Sequence, residues 1–365
     1  MITGLGSAKD LASGKKGAFY NTLEEFHKYW DRIDIIAPRI RGQESGVKNL
    51  FGNVYIHISP WPLAFHPVWF LKKGLEIYRE QKFDLMTVQE FPPFYNGIGA
   101  WLLWQKIRVP YVLEIHHIPG YPKAAGLKEK IYANQALWKF YWRIFGSKAR
   151  AVRVVNKKQA PDFLIEAGIS KEKIVYISSA YIDLEVFKPI NLPKEYDLIF
   201  VGRLERNKGI ELFIDAAKII NAKALIIGSG SLSAEIKYKI QDTKYDIRLH
   251  GWAKDSSKIA ELINKSKVLV MPSYNEGGPR VVLEAMACGV PVLATPVGIV
   301  PDIIKDKESG RIISWNAEDI ADKARELLCD EEERNKYRQA GLELIKQFEK
   351  KAAIKNYADK IKDII

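Results

Sequence analysis

The chain predicts an α/β protein built from two parallel sheets, each flanked by helices. Three observations carry that expectation. The 365 residues suffice for two domains of roughly 150 residues each. Short β-branched runs alternate with amphipathic segments long enough to be crossover helices. The alternation is broken once, by the Pro-punctuated stretch 187–193, and then restarts.

Before the break, residues 1–5, 33–37, 54–58, 84–88, 111–115, 151–155 and 174–177 read as strands; after it, 197–201, 224–227, 247–250, 268–271 and 291–294 do so. The end of the chain reads as helical. Asn316 and Asp330 stand as N-caps before periodic Leu and Ile, the latter in a capping-box pattern with Glu333.

Composition bounds the function classes. At 47% hydrophobic and 27% charged, with 25 Gly and 17 Pro, the chain is neither disordered, collagen-like nor of low complexity. Its two cysteines, Cys288 and Cys329, have no His or Cys at ligand spacing, so neither a disulfide framework nor a zinc site is expected, and a reducing compartment fits. The richest apolar stretch, 61–71, is broken by Pro62, His66 and Pro67, far short of the roughly 18 to 20 residues that span a bilayer. The start lacks a basic region followed by an apolar one, so a cytoplasmic protein without a secretory signal is expected.

Net charge is +12, and it is uneven: residues 1–190 hold 27 Lys/Arg against 17 Asp/Glu, residues 191–365 hold 29 against 27. Within 101–160 there are 12 basic and 2 acidic residues, with Trp138, Tyr141, Trp142 and Phe145 interleaved with Lys139, Arg143 and Lys148. Such a face suits an anionic membrane surface, suits nucleic acid less well, and also suits a helix whose aromatics turn into the core.

Ligands of open parallel sheets bind beyond the carboxyl ends of the strands. Those exits hold Gly14-Lys15-Lys16-Gly17, Gln89-Glu90, His116-His117, Gly202-Arg203, Gly228-Ser229-Gly230, Gly251-Trp252 and Asn275-Glu276-Gly277-Gly278. Arg203 and Lys208 follow a strand and precede a helix, a corner where backbone amides and the helix dipole already favour a diphosphate. Pro279, after two glycines, is placed at the first helical position of a tight strand-to-helix turn. Glu276 in that turn and Glu284 eight residues later can reach one bound molecule at two points. A carboxylate near Ala285, Met286 and Val290 needs a partner, and a ribose diol would be one.

Arg203 with Lys208, the Glu276–Glu284 spacing and the following Ala285-Met286-Ala287-Cys288-Gly289-Val290-Pro291 resemble glycosyltransferase family 4, retaining nucleotide-sugar transferases of the GT-B fold. The resemblance covers most of 195–315, where Gly228 and Gly251-Trp252 also stand in the family's order. It implies two Rossmann-like doubly wound domains facing a cleft: residues 1–190 on the acceptor side, 191–345 binding the nucleotide sugar, and a C-terminal helix in 346–365 returning toward the first domain. Carried over, it implies that Arg203 and Lys208 bind the donor diphosphate and Glu284 the nucleotide ribose. Glu276, with the amides of Gly277 and Gly278, would hold the sugar hydroxyls. Gly228 would belong to the donor site, and Gly251 and Trp252 would lie near the base. In the first half, His116 matches a family histidine that faces the transferred sugar, and Gly17 matches the glycine loop that lets backbone approach the phosphates. Three positions depart from the pattern: Lys15-Lys16-Gly17-Ala18 replaces a double glycine, Glu90 stands where a small polar residue or His is frequent, and Tyr181 replaces a glycine.

The implied chemistry is electrostatic stabilisation of a departing diphosphate without a divalent metal or bound cofactor. The donor would be a UDP- or GDP-linked sugar, and the acceptor a glycan or a lipid-linked molecule. Three rivals share some of these features. A dinucleotide oxidoreductase would need a third glycine after Gly228-Ser229-Gly230, where Ser231-Leu232-Ser233 stands instead. A nucleotide-sugar epimerase or polysaccharide synthase could use the same scaffold. A non-catalytic binding module would be expected to lose Lys208 or Glu276, and both are present.

Overall fold

Along the strand Tyr196–Val201, Leu198 and Phe200 pack into one core and Ile199 into another, as a two-residue side-chain period does when helices cover both faces of a parallel sheet. The protein is described by a computed structural model covering residue 11 and residues 17–40, 42, 45–241, 244–253 and 255–364. By its internal packing it divides into two compact units. The first takes Met1–Ile118, Asn134–Ser179 and Ile354–Ile365; the second takes Pro119–Ala133 and Ala180–Ala353.

In the first unit, β1 (Ile33–Ala37), β2 (Gly46–Leu50) and β3 (Val54–Ile58) form a sheet in the order β1-β3-β2, with β1 parallel and β2 antiparallel to β3. β4 (Met86–Gln89), β5 (Tyr111–Ile115), β6 (Ala151–Val154) and β7 (Ile174–Tyr176) form a parallel sheet in chain order. β2 is not foreseen by the sequence, because Gly46, Val47, Lys48 and Asn49 are all exposed and a strand with no buried face shows no alternation. The expected strand at 1–5 and the Gly14-Lys15-Lys16 part of the first loop lie outside the described residues.

In the second unit, β8 (Tyr196–Val201), β9 (Ala224–Ile227), β10 (Ile247–Gly251), β11 (Ser266–Met271), β12 (Val292–Ala294) and β13 (Arg311–Ile312) form one parallel sheet in the order β10-β9-β8-β11-β12-β13. In chain order this reads 3-2-1-4-5-6, the doubly wound arrangement whose strand order reverses between the first and fourth strands. Val268 and Val270 face the same core as Phe213, Ile214 and Leu327; Leu269 and Met271 face the core of Val282, Leu283 and Met286. The reversal therefore falls between β8 and β11, and a crevice is expected beyond their carboxyl ends.

Two local expectations are corrected. Pro279 is the N-cap of the helix Arg280–Ala287 rather than its first helical residue; its ψ of 100° is extended backbone, so the helix begins one residue later. Asp330 caps Glu331–Leu344 by accepting from the Glu333 amide at 2.8 Å. Glu333 does not reciprocate, because Tyr337 and Arg311 take its carboxylate. Asn316 caps Ala317–Cys329 through the Asp319 amide at 2.9 Å.

The basic aromatic segment also sorts itself by burial. Trp138, Tyr141 and Trp142 are core residues, with Tyr141 stacked on Phe94 at 4.1 Å, so these rings are not a surface feature. Besides Leu127 and Ile131, the segment exposes Phe140 and Ile144 beside Lys139, Arg143 and Lys148. Among the described residues, no helix is long and apolar enough to cross a membrane.

Candidate active site

The reversal of strand order in the second unit is bracketed by two loops, residues 202–209 after β8 and 272–279 after β11. They approach closely at Gly209, whose φ of +67° leads into the helix Ile210–Ile219 and where a Cβ would overlap the Pro272 carbonyl oxygen. The Tyr274 amide donates to the Asn207 carbonyl at 2.8 Å. Across this junction Lys208 Nζ forms an ion pair with Glu276 Oε1, and Ser273 Oγ donates to the same oxygen at 3.1 Å. The two charged side chains retain only 17% and 16% exposure, so their attraction is screened far less than that of a surface pair.

Arg203 leaves the end of β8 exposed to solvent. Its neighbour Glu205 is held below the usual carboxylate range, first by the Ser231 hydroxyl and amide and then by the Arg203 charge. Gly228 follows β9 with φ +143°, and a Cβ there would overlap the Gly202 carbonyl oxygen. The Gly228 amide donates to Gly251 at 2.8 Å, so the exits of β8, β9 and β10 are joined edge to edge. Trp252, just past β10, is 71% exposed, an unusual position for an indole with no protein cover.

Gly277 and Gly278 connect Glu276 to the helix Arg280–Ala287, in which Glu284 occupies the second turn. Burial pushes the Glu284 carboxyl up to about 7, with the Arg280 charge opposing. Arg280 is itself turned to Tyr181: its Nη1 donates to the hydroxyl at 3.1 Å and its guanidinium lies 4.1 Å from the ring centroid. Tyr181, where the family resemblance leads one to expect glycine, is thus a packing partner for the site helix.

Several contributors are invisible in the sequence. Asn275, 1% exposed, donates through Nδ2 to the Lys123 carbonyl at 3.0 Å and to Glu129 Oε2 at 2.9 Å. Glu129 also accepts from the Ala125 amide at 2.7 Å. Lys123 Nζ stands 4.9 Å above the Trp315 ring and 5.5 Å above Tyr274, and Trp315 Nε1 donates to the Ser273 carbonyl at 2.9 Å. The stretch Pro119–Ala133 therefore braces the Glu276 loop, which is why it packs with the second unit although a division at 190 would leave it in the first.

The first-unit residues form a separate arrangement. His116 follows β5 with Nε2 3.4 Å from Glu114 Oε2. Glu114 is buried, accepts from Tyr357 Oη at 2.6 Å and lies 3.2 Å from Arg153 Nη1. Burial would raise its pKa, but the Arg153 charge and the His116 and Tyr357 hydrogen bonds hold it at about 2. Arg153 lies 3.8 Å over the Tyr357 ring and donates to the carbonyls of Ile177 and Ser178. Glu90, beyond β4, is pushed by burial up to about 8, against hydrogen bonds from Tyr141 and the amides of Phe91 and Gly97. A neutral carboxyl fits that apolar place. Gly17 is the N-cap of Ala18–Phe26, and its carbonyl accepts from the Asn21 amide at 3.0 Å.

Residues 183–344 match the family described as glycosyl transferases group 1. An uncharacterized glycosyltransferase of Methanocaldococcus jannaschii is 28% identical over 87% of this chain and 87% of that one. The sulfoquinovosyl transferase of Arabidopsis thaliana is 26% identical over 93% of this chain and 69% of that one. Among solved structures, sucrose-phosphate synthase from Thermosynechococcus elongatus superposes with a TM-score of 0.77 at 17% identity, covering 100% of this chain and 98% of that one. The last likeness is one of fold, that of GT-B proteins with two Rossmann-like domains.

Proposed function

From a chain that carries a glycosyl transferases group 1 domain over residues 183–344, and is thereby a glycosyltransferase using nucleotide sugars, we propose a retaining hexosyl transfer. The donor is a UDP- or GDP-linked sugar and the acceptor a glycan or lipid-linked molecule. The observation that carries the reading is the Lys208–Glu276 pair at the reversal of strand order, the place where doubly wound sheets bind nucleotides.

In this reading Arg203 and Lys208 receive the donor diphosphate, and their charge grows in value as the leaving group departs, which lowers the barrier without a divalent metal. Lys208 exchanges part of its attachment to Glu276 for phosphate oxygen. The freed Glu276 lone pairs, with the Gly277 and Gly278 amides, take the sugar hydroxyls. Glu284 takes the ribose diol, whose two hydroxyl donors supply what a buried carboxylate lacks. Gly228 and Gly251 leave room for the nucleotide at the neighbouring strand exits, and Trp252 offers a stacking face for the base. His116 serves the transferred sugar and Gly17 the phosphates from the first unit. The acceptor attacks on the leaving-group side with a phosphate oxygen as its base, so no protein nucleophile is required.

The enzyme works in the cytoplasm, and Phe140 and Ile144 with Lys139, Arg143 and Lys148 carry it to anionic membrane, where a lipid-linked acceptor would lie. A panel of nucleotide sugars scored for release of nucleoside diphosphate, with and without acceptor, tests the reading. Acceptor-dependent release supports it. Conversion of the donor sugar with no release would make the chain an epimerase instead, and binding without turnover of any donor would make it a non-catalytic module.

A further inference from the structure

The strands that present Arg203 and Glu276 at their carboxyl ends have a second, opposite edge. There, at the amino ends of β8, β11 and β12, the second unit holds a cavity of about 450 Å³, within the range of small-molecule sites. Its wall is cationic. Lys194 stands two residues before β8, Lys267 is in β11, and Arg334 and Arg338 project from the helix Glu331–Leu344.

The partners of these four cations show what the cavity lacks. Lys267 is matched by Asp197 at 2.8 Å. Among the described residues, Lys194 Nζ reaches only the carbonyls of Asn264 and Ser266, at 2.8 and 3.0 Å. Arg334 Nη1 reaches only the carbonyls of Leu327 and Leu328, at 2.8 and 2.6 Å. Carbonyls satisfy hydrogen-bond geometry but bring no countercharge. Arg338 passes over Gly289, and among the described residues no hydrogen bond or ion pair is made by its guanidinium. Three positive charges from two separate parts of the chain therefore share one concave space, and among the described residues that line it Glu331, at the exposed start of the helix, is the one carboxylate. Burial and the nearby Arg338 charge also hold Lys194 below the usual range of an ammonium, as expected where like charges crowd without an anion.

We propose that this cavity is a binding site for a small soluble phosphate-bearing molecule, separate from the candidate active site on the opposite edge of the same sheet. Arginine forks donate to phosphate oxygens in pairs, and a lysine adds a point charge, so three cations from two parts of the chain suit a group with several anionic oxygens better than a single carboxylate. The size of the cavity suits a compact ligand better than a polymer. Bound there, it would tie the segment before β8 to the helix Glu331–Leu344 and stabilise the unit that carries the donor residues.

The test is calorimetric titration of the full-length chain with inorganic pyrophosphate, in an Arg203→Ala, Lys208→Ala background that removes the cations of the active-site edge. Binding is expected to persist in this background and to weaken at least tenfold on adding Arg338→Glu, a change at an exposed residue with no folded-state partner to lose. Arg338→Lys should retain part of the affinity. Loss of binding in the background alone, or equal affinity with Arg338 and with Glu at that position, would overturn the proposal. Because the readout is binding and not turnover, its failure is distinct from failure of the transferase reading.

Discussion

Lys208 and Glu276 meet as an ion pair across the reversal of strand order in the second sheet. The cation proposed for the leaving group and the carboxylate proposed for the sugar thus hold each other in place, and in that reading each loosens to accept its ligand.

Lys208→Ala and Arg203→Ala are therefore expected to cut turnover by about 10²–10³, the loss of about 2.7–4 kcal/mol that follows removal of one transition-state electrostatic contact. Lys208→Ala also leaves Glu276 with the Ser273 hydroxyl as its remaining hydrogen-bond partner, so it should be the more damaging. Steady-state rates with circular dichroism as the fold control decide this; wild-type rates in both variants would remove the assignment.

Glu284 links the site to stability. Its raised pKa means that the folded chain keeps a proton that the unfolded chain releases between about pH 4.5 and pH 7. Stability therefore falls as pH rises through that window and stays low above it. Glu284→Gln should remove the fall, being more stable than wild type at pH 8 by on the order of 3 kcal/mol but matching it at pH 4. Glu284→Ala should weaken nucleoside diphosphate binding in calorimetry more than it slows chemistry. An unchanged affinity would contradict the ribose role.

In the first unit the sign is opposite. Glu114, held at about 2, contributes stability above its unfolded pKa near 4.5 that is lost as pH falls through about 2. Tyr357→Phe removes a hydrogen bond to a buried charge and should cost about 1.5–3 kcal/mol at pH 7, with acid unfolding beginning at higher pH. Denaturant melts from pH 2 to 7 would show it; superimposable acid limbs would mean that Tyr357 contributes nothing to the charged state.

The anomeric centre supplies a further check. Transfer should keep the α configuration of the donor, read by proton NMR of the product, and should continue in excess chelator. A β linkage would exclude the retaining mechanism.

Membrane recruitment should depend on Phe140 and Ile144 rather than on the buried rings beside them. Flotation with anionic vesicles at low salt is expected to recover the wild type, and Phe140→Glu with Ile144→Glu is expected to abolish recovery, as should high salt. Equal recovery of wild type and double variant would leave the basic face as a solvated surface.

How far the sequence reached follows from what each signal depends on. β5 and β9 were legible to the residue because every side chain in them is buried and an apolar run bounded by turn residues is a local signal. Lys208, Glu276 and Glu284 stand out in the sequence as charged residues at fixed spacing around a glycine turn, but the ion pair that joins the first two does not. Tyr181, Lys123 and Glu129 were not legible, because they reach Arg280, Trp315 and Asn275 from remote parts of the chain, and remote contacts leave no periodicity. For Trp138 and Tyr141 composition could count the rings but not assign their face, and packing on Phe94 and Phe163 decided it.

The order in which the chain visits its two units constrains how such a protein can be inherited. It passes between them four times, at about 118, 133, 179 and 353, so one genetic crossover near 190 cannot exchange the second unit whole. A hybrid made there would keep its old Lys123 and Glu129 against a foreign Asn275, and its old Glu114 and Arg153 against a foreign Tyr357. Recombination that exchanges the second unit between relatives would have to carry 119–133 along with 180–353 and leave the last helix behind; a crossover at 190 would also set an old Tyr181 against a foreign Arg280.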